Sequence, residues 1–244
     1  MYDEIAQNIR HIRQRINSAC ELYGRDKDEV KLLLATKTVS VDKIKAAIDL
    51  GHDLIGENKV LEGIEKYDLL KNNNCQWHLI GHLQTNKIKH ALRYVDLIQS
   101  VDRMKLAEKL NNRCKYENKD VDIFIQVNTS NEISKFGIEP ETAIEFIKQV
   151  SDFDRLHIKG LMTIGLLSSK SDAVRDCFKR LKEIQVQAME LHIPNASFNE
   201  LSMGMSDDLE LAIAEGSTMI RIGTAIFGER PYPDSYYWNE NSDT

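Results

Sequence analysis

A lysine that directly follows a short apolar segment is the first residue with potential for chemistry. Lys37 comes after residues 30–36, which are mostly apolar and predict a buried strand. Alternation along that strand would place Leu33, Ala35 and Lys37 on one face. If this face is buried, desolvation lowers the pKa of the lysine amine, and a neutral amine can form a Schiff base with a carbonyl compound. The alternative is an ordinary surface lysine at the end of a strand.

Small and hydroxylic residues near the other end of the chain form a second group. Ser202, Gly223 and Thr224 lie at or after the ends of two further strand candidates. Glycine lets backbone N–H groups approach an anion, and a hydroxyl adds a donor, so these three residues predict a phosphate cradle. Arg221 shares strand parity with Gly223. If it faces the interior it needs an anion or another acceptor, and a salt bridge inside the fold is an equal alternative.

The segment between these two strand candidates predicts a helix over 207–215. Ser206 is expected to cap it, with Asp207 and Asp208 in its first turn facing the positive end of the helix dipole. Gly216 would end the helix. The acidic pair is therefore expected to be structural rather than an acid–base site.

Strand-like and helix-like segments alternate along the chain after a leading helix at 2–23. The strand candidates are 30–36, 53–56, 76–80, 97–100, 121–127, 156–162, 199–203 and 218–222. The helical patterns are near 41–50, 59–71, 86–94, 103–113, 139–150, 172–192 and 207–215. This alternation predicts a parallel α/β sheet, and eight strands favour one closed (β/α)₈ TIM barrel over a doubly wound open sheet. In barrels the active site lies at the C-terminal strand ends, and the loops after the last two strands often bind phosphate.

The composition argues against several classes of protein. Among 244 residues, 32 Lys and Arg against 38 Asp and Glu give a net charge of −6, so we expect no nucleic-acid partner. No apolar run approaches the roughly 18 residues of a membrane span, and the polar N-terminus lacks a signal-peptide core. We expect a cytoplasmic protein with one domain over 1–230 and a loose tail over 231–244.

Motifs of other enzyme classes are incomplete. The glycine pairs in 51–56 and 223–228 have P-loop spacing, but glutamate follows each pair where lysine is required. His78 and His82 stand four apart with leucine in the place of the zinc-protease glutamate, and we expect no metal there. The four cysteines form no CxxC pair, which predicts structural thiols.

Five segments carry a family signature. They are 34–38 (LATKT), 56–58 (GEN), 77–87 (WHLIGHLQTNK), 134–137 (SKFG) and a two-part tail over 201–208 and 216–228. Together, and over nearly the whole chain, they resemble the pyridoxal phosphate homeostasis protein family. The resemblance implies a single (β/α)₈ barrel with an extra N-terminal helix, similar to the barrel domain of alanine racemase. It also implies pyridoxal 5'-phosphate (PLP) as the cofactor.

Position by position, the resemblance implies six cofactor-binding residues and no catalytic ones. Lys37 corresponds to the lysine that forms the internal aldimine, Asn58 to a cofactor-site asparagine, and Arg221 to the arginine that faces the pyridine nitrogen. The phosphate-holding positions are Ser202, Gly223 and Thr224. Phe136 and His82 correspond to positions to which we assign no role.

The implied function is intracellular PLP (vitamin B6) and amino-acid homeostasis without much turnover. An arginine is always cationic, so at the pyridine nitrogen it would weaken the cofactor as an electron sink. Racemisation also needs a second acid–base group, which the racemase takes from its other domain. Apo forms of PLP-dependent enzymes would be the recipients, and we expect a monomer. The alternatives are a PLP-dependent racemase or lyase using the same aldimine, and a phosphate-binding barrel enzyme without PLP.

Overall fold

Eight parallel strands close into a barrel in chain order. The computed structural model describes residues 1–166, 171–194 and 196–229. The strands β1 to β8 are Lys31–Ala35, Leu54–Glu57, Gln76–Leu79, Leu97–Val101, Val121–Gln126, Leu156–Met162, Ala196–Ser202 and Met219–Ile222. Because β1 pairs with β8, the barrel prediction is confirmed and the open sheet is wrong. Seven strands agree with the predicted bounds within one residue at each end, whereas β7 begins three residues earlier.

Helices surround the barrel, as the alternating pattern predicts. The helices α1 to α9 are Tyr2–Leu22, Val41–Asp49, Val60–Leu70, Ile88–Ala91, Met104–Glu117, Ala143–Ser151, Ser171–Glu190, Leu209–Ala214 and Thr224–Phe227. Short 3₁₀ turns occupy Lys27–Glu29, Thr85–Lys87 and Pro140–Thr142. Within the described ranges, no helix is both long and apolar enough to cross a membrane.

The barrel interior holds its own apolar layer, separate from the larger core between sheet and helices. It takes one residue from each of six strands: Leu33, Leu54, Leu97, Phe124, Met162 and Met219. Leu33 therefore faces inward, which meets the condition on which the prediction for Lys37 depended. Lys37 lies two residues beyond the end of β1, at a position that alternation places on the same face as Leu33, and the residue is only 7% exposed.

The N-terminal helix α1 packs against the elements that follow the last two strands. Its apolar face is buried along its length, and it lies against α8 and α9. The Asn8 amide donates to the Ile226 carbonyl at 3.0 Å, and Arg15 binds both carboxylate oxygens of Glu210 at 2.7 and 2.8 Å. The extra helix thus braces the two short helices next to the predicted phosphate cradle.

The start of α8 differs from the prediction. The helix begins at Leu209, and Ser206 lies in a turn before it, so Ser206 is not the cap. The Asp208 carboxylate accepts the backbone N–H of Met205 at 2.6 Å, which keeps the chain in a turn through Asp208. Gly216 follows α8 with a φ of +95°, as predicted. The predicted tail at 231–244 lies outside the described residues.

Candidate functional site

A cavity of about 260 Å³ opens at the C-terminal end of the barrel, between the ends of β1 and β8. Lys37 lines it on the β1 side, and Gly223 and Thr224 line it on the β8 side. Lys43, from α2, also borders the cavity and donates to the Phe227 carbonyl at 2.6 Å. Closure of the barrel therefore brings Lys37 and two of the phosphate candidates to one cavity, although Lys37 and Gly223 are 186 positions apart in the chain.

Gly223 allows the two edges of this cavity to approach closely. A Cβ added at Gly223 would lie 2.9 Å from the Ala35 carbonyl oxygen, so a larger residue would push β1 and β8 apart. Helix α9 begins at the next residue. The first N–H groups of a helix have no acceptor within it, so the amides of Thr224 and Ala225 are donors available for an anion. Gly223 and Thr224 therefore border the cavity opposite the lysine, where the amide and hydroxyl of Thr224 are candidate donors.

Arg221 and Ser202 belong to a hydrogen-bonded relay in the barrel interior. Arg221 Nη1 donates to Ser202 Oγ and Nη2 to the Thr163 carbonyl, both at 2.8 Å. Ser202 Oγ donates in turn to Gln99 Oε1 at 2.6 Å. Neither Ser202 nor Arg221 borders the described part of the cavity. The Ser202 hydroxyl is thus committed to orienting Arg221 in this structure.

Within the part of the chain that the structure describes, the buried cation of Arg221 is held by neutral acceptors rather than by a salt bridge. Burial lowers the pKa of Arg221 to about 10, and the negative charge of Asp208 partly opposes this lowering. The side chain therefore stays cationic at neutral pH. Its nearest partners are the hydroxyl and the carbonyl just described, so the salt-bridge alternative does not account for its position.

His78 ends the relay below the site. Its Nδ1 lies 2.9 Å from Gln99 Nε2, and because the amide nitrogen only donates, Nδ1 accepts. Burial, with the positive charge of Lys31, lowers the pKa of His78 to about 3, so the imidazole is neutral. Sequence reasoning missed Gln99, although a glutamine inside the buried strand LIQSV was an available signal.

Asn58 lies on a neighbouring part of the rim. It follows β2 and borders a second cavity of about 100 Å³ with His82, Gln84 and Lys87. A Cβ at Gly81 would fall 2.2 Å from the Asn58 carbonyl oxygen, so the GEN segment and the segment after β3 are in direct contact. Asn58 does not border the described part of the Lys37 cavity.

His82 and Phe136 form a stacked pair across the barrel mouth. Their ring centroids are 3.9 Å apart with an interplanar angle of 22°, and His82 Nδ1 lies 3.4 Å from Asp102 Oδ2. Phe136 comes from the loop after β5, whereas His82 follows β3. These two residues therefore join two loops of the rim, a contact that their types and positions did not predict.

A buried carboxylate lies directly beside the predicted site residues. Glu57 is wholly buried, and its Oε1 accepts from Thr36 Oγ at 2.5 Å and from Lys66 Nζ at 2.8 Å. Desolvation raises the pKa of Glu57 from 4.5 to about 7, against the opposing effect of Lys66. Thr36 precedes Lys37 and Glu57 precedes Asn58, so this side-chain contact links the immediate neighbours of two predicted site residues.

This raised pKa predicts a pH-dependent effect of Glu57→Gln on stability. Between pH 4.5 and 7, folded Glu57 keeps a proton that the unfolded chain has lost, so its contribution to stability falls as pH rises and is constant above pH 7. The total fall is about 3 kcal/mol at ~1.36 kcal/mol per pH unit. The variant should therefore gain about that much stability relative to wild type over this range, measured by urea unfolding at several pH values. A stability difference that does not change with pH would contradict the assignment.

Comparison with known proteins places this chain in a family. Residues 1–231 match the family model of the alanine racemase N-terminal domain. The pyridoxal phosphate homeostasis protein of Aquifex aeolicus is 39% identical over 226 residues, covering 93% of this chain and 98% of that protein. The protein of the same name from Escherichia coli K12 is 38% identical, covering 94% and 98%. The chain belongs to the pyridoxal phosphate homeostasis protein family.

Solved structures agree with this membership. PipY of Synechococcus elongatus, a structure with PLP bound, is 32% identical with a TM-score of 0.77, covering 89% of this chain and all of that one. An alanine racemase of Clostridium difficile is 14% identical with a TM-score of 0.76, covering 95% of this chain and 61% of that one. The second likeness shows the fold alone, which is the barrel shared by homeostasis proteins and racemases.

Proposed function

We propose that this chain binds PLP on Lys37 and serves intracellular PLP and amino-acid homeostasis. The observation that carries the proposal is the single cavity that holds the Lys37 side chain on one side and the Gly223–Thr224 cradle on the other. The names of the relatives and the PLP in the PipY structure support it. The remaining proposed contacts are those of Asn58, Ser202 and Arg221.

The residues present fit this ligand chemically. When bound, PLP supplies an aldehyde carbon that a neutral primary amine can attack. Lys37 provides the amine, and the Thr224 hydroxyl with the first amides of α9 provides donors for a phosphate dianion. Arg221, held by Ser202, would face the pyridine nitrogen. Asn58 would add a neutral polar contact on the β2 side of the rim.

We also propose that the chain holds PLP and passes it to apo enzymes rather than turning over a substrate. Arg221 is cationic and acceptor-free, so it disfavours a proton on the pyridine nitrogen, which PLP enzymes use to withdraw electrons. We propose a cytoplasmic monomer without a nucleic-acid partner, and the net charge of −6 supports the last of these points. The two curated relatives described above are named homeostasis proteins, which supports this assignment over an enzyme.

An absorbance scan before and after added PLP tests the binding. We expect a new near-visible band that borohydride bleaches, and a tryptic peptide carrying reduced PLP on Lys37. A protein without such a band in excess PLP would leave the barrel standing and remove the proposed function.

Hydrogen exchange at the α-carbon tests the absence of turnover. PLP-loaded protein is incubated with several α-deuterated amino acids, and loss of deuterium is followed by mass spectrometry. We expect no exchange above that of free PLP. Repeated exchange in excess over protein would instead establish a racemase- or lyase-type enzyme, the alternative that the shared barrel allows.

Substitution of Gly223 should weaken binding through the phosphate group. In Gly223→Ala the new Cβ meets the Ala35 carbonyl at 2.9 Å, so the cradle must move away from β1. We expect PLP affinity to fall about tenfold, or ~1.4 kcal/mol, in a fluorescence titration. Pyridoxal, which lacks the phosphate, is the control. If both ligands lose affinity equally, Gly223 does not act through the phosphate.

A further inference from the structure

Three acidic or basic side chains from β2 and α3 hold the backbone on both sides of Lys37. We call them the clamp, and they are Glu57, Glu62 and Lys66. On the N-terminal side, the Thr36 hydroxyl donates to Glu57 Oε1 at 2.5 Å. The Thr36 carbonyl accepts from Lys66 Nζ at 2.6 Å. The residue that precedes Lys37 is therefore fixed by both its side chain and its main chain.

On the C-terminal side, the clamp holds Thr38. Its backbone N–H donates to Glu62 Oε1 at 2.5 Å, and Thr38 has a φ of +64°. A β-branched residue rarely adopts this left-handed conformation, which persists only where surrounding contacts impose it. The strained turn after Lys37 is thus supported by Glu62, which reaches it from the first turn of α3.

Lys66 connects the two halves of the clamp. Its ammonium group also donates to Glu57 at 2.8 Å and to Glu62 at 2.7 Å, and its side chain is only 8% exposed. Glu57 Oε2 is buried without a hydrogen-bond partner among the described residues. Buried ion pairs with such unmet groups are poor sources of stability compared with apolar packing, so stability alone does not explain why charges occupy this place.

We propose that the clamp positions the Lys37 amine for reaction with an aldehyde ligand, which makes Glu57, Glu62 and Lys66 positioning residues. The inference rests on the proposed function, because it takes Lys37 as the anchor for PLP. None of the three clamp residues borders the described part of the Lys37 cavity. Glu62 does line the smaller cavity beside Asn58. The contacts of all three residues with Thr36 and Thr38 nevertheless act on the peptide units next to Lys37, so we expect their loss to change how the amine is presented.

Glu62→Ala is the decisive variant, because Glu62 is partly exposed and Lys66 keeps Glu57 as its counterion. Glu65→Ala is the matched control, since it removes the same charge from an exposed position on the same helix. Glu62→Gln is the rescue variant, because its amide oxygen still accepts the Thr38 N–H. Thermal melting of all three variants shows whether any effect follows from unfolding.

Two readouts separate positioning from a structural role. The first is the rate at which the PLP band forms after rapid mixing. We expect this rate to be about tenfold slower or more in Glu62→Ala, because small misplacements of a reacting group have effects of this size. The second is competitive acetylation of Lys37 in PLP-free protein, followed by peptide mass spectrometry. Here we expect Lys37, released from its buried position, to be labelled several-fold faster while exposed Lys45 is unchanged.

The opposite movement of the two rates is the signature of the clamp. Glu65→Ala should match wild type in both, and Glu62→Gln should recover most of the PLP rate. If Glu62→Ala captures PLP and is acetylated like wild type, the clamp proposal is wrong. If wild type itself captures no PLP, the proposed function fails, and the acetylation comparison still shows whether the clamp holds Lys37 in place.

Discussion

Lys37→Ala should abolish covalent capture of PLP. The variant lacks the amine that lies opposite the Gly223–Thr224 cradle, so no absorbance band should form on addition of PLP, and borohydride should fix no ligand on the protein. Phosphate and ring contacts remain, so binding persists in weakened form, lower by on the order of 100-fold or ~3 kcal/mol. Absorbance spectra, mass spectrometry after reduction and equilibrium dialysis measure the three effects.

Lys31→Ala is the matched control for this variant. Lys31 lies at the opposite end of the same strand, where its exposed side chain pairs with Glu200 at 2.9 Å. We expect it to capture PLP like wild type, because the ligand site is at the other end of the barrel. If Lys37→Ala gives the same band and the same reduced adduct as wild type, another lysine is the anchor and the site assignment is wrong.

Lys66→Met should cause the largest loss of stability among single substitutions at the site. It removes the only ion-pair partner of Glu57 among the described residues, at a position where that carboxylate is wholly buried. Breaking a buried pair from one side costs about 3–5 kcal/mol, since the remaining charge is left without its partner. The loss of stability should be larger at pH 8 than at pH 5. At pH 8 fewer protons are available to neutralise the Glu57 carboxylate that Lys66 no longer pairs. Urea unfolding at both pH values measures the loss.

The double variant Glu57→Gln/Lys66→Met tests the cause of this loss. With both charges removed, no unpaired buried ion remains, and at least half of the lost stability should return. Lys45→Met is the control, since it breaks only the exposed pair of Lys45 with Asp49 and should cost less than about 1 kcal/mol. A double variant no more stable than Lys66→Met would show that packing by the Lys66 side chain, rather than charge, is what matters.

Local patterns predicted most of the fold. The alternation of β1 to β8 with helices, and the shared face of Leu33 and Lys37, were predictable because hydrophobic periodicity is set by near neighbours in the chain. The prediction that Ser206 caps α8 was wrong, because a second local contact was equally compatible with the sequence. The side-chain contact between Asp208 and the Met205 amide competes with regular capping, and propensity does not choose between two such local arrangements.

The candidate site was predicted only in part. The end of β1 and the glycine after β8 marked Lys37 and Gly223, because barrels gather their functional residues at one end. The six proposed residues do not share one cavity, however. Lys37, Gly223 and Thr224 border the larger one, Asn58 a neighbouring one, and Ser202 and Arg221 lie inside the barrel.

The sequence by itself determined the family, the barrel and the place of the lysine, since each depends on motifs or on periodicity within a few residues. Only the tertiary structure showed the relay that orients Arg221 and the clamp around Lys37. Gln99 meets Ser202 across 103 positions of the chain, and Lys66 meets Thr36 across 30. Closing the barrel removes these polar groups from water, and a buried polar group without a hydrogen bond is costly. Each group therefore pairs with a residue that the fold places beside it, which local sequence patterns do not reveal.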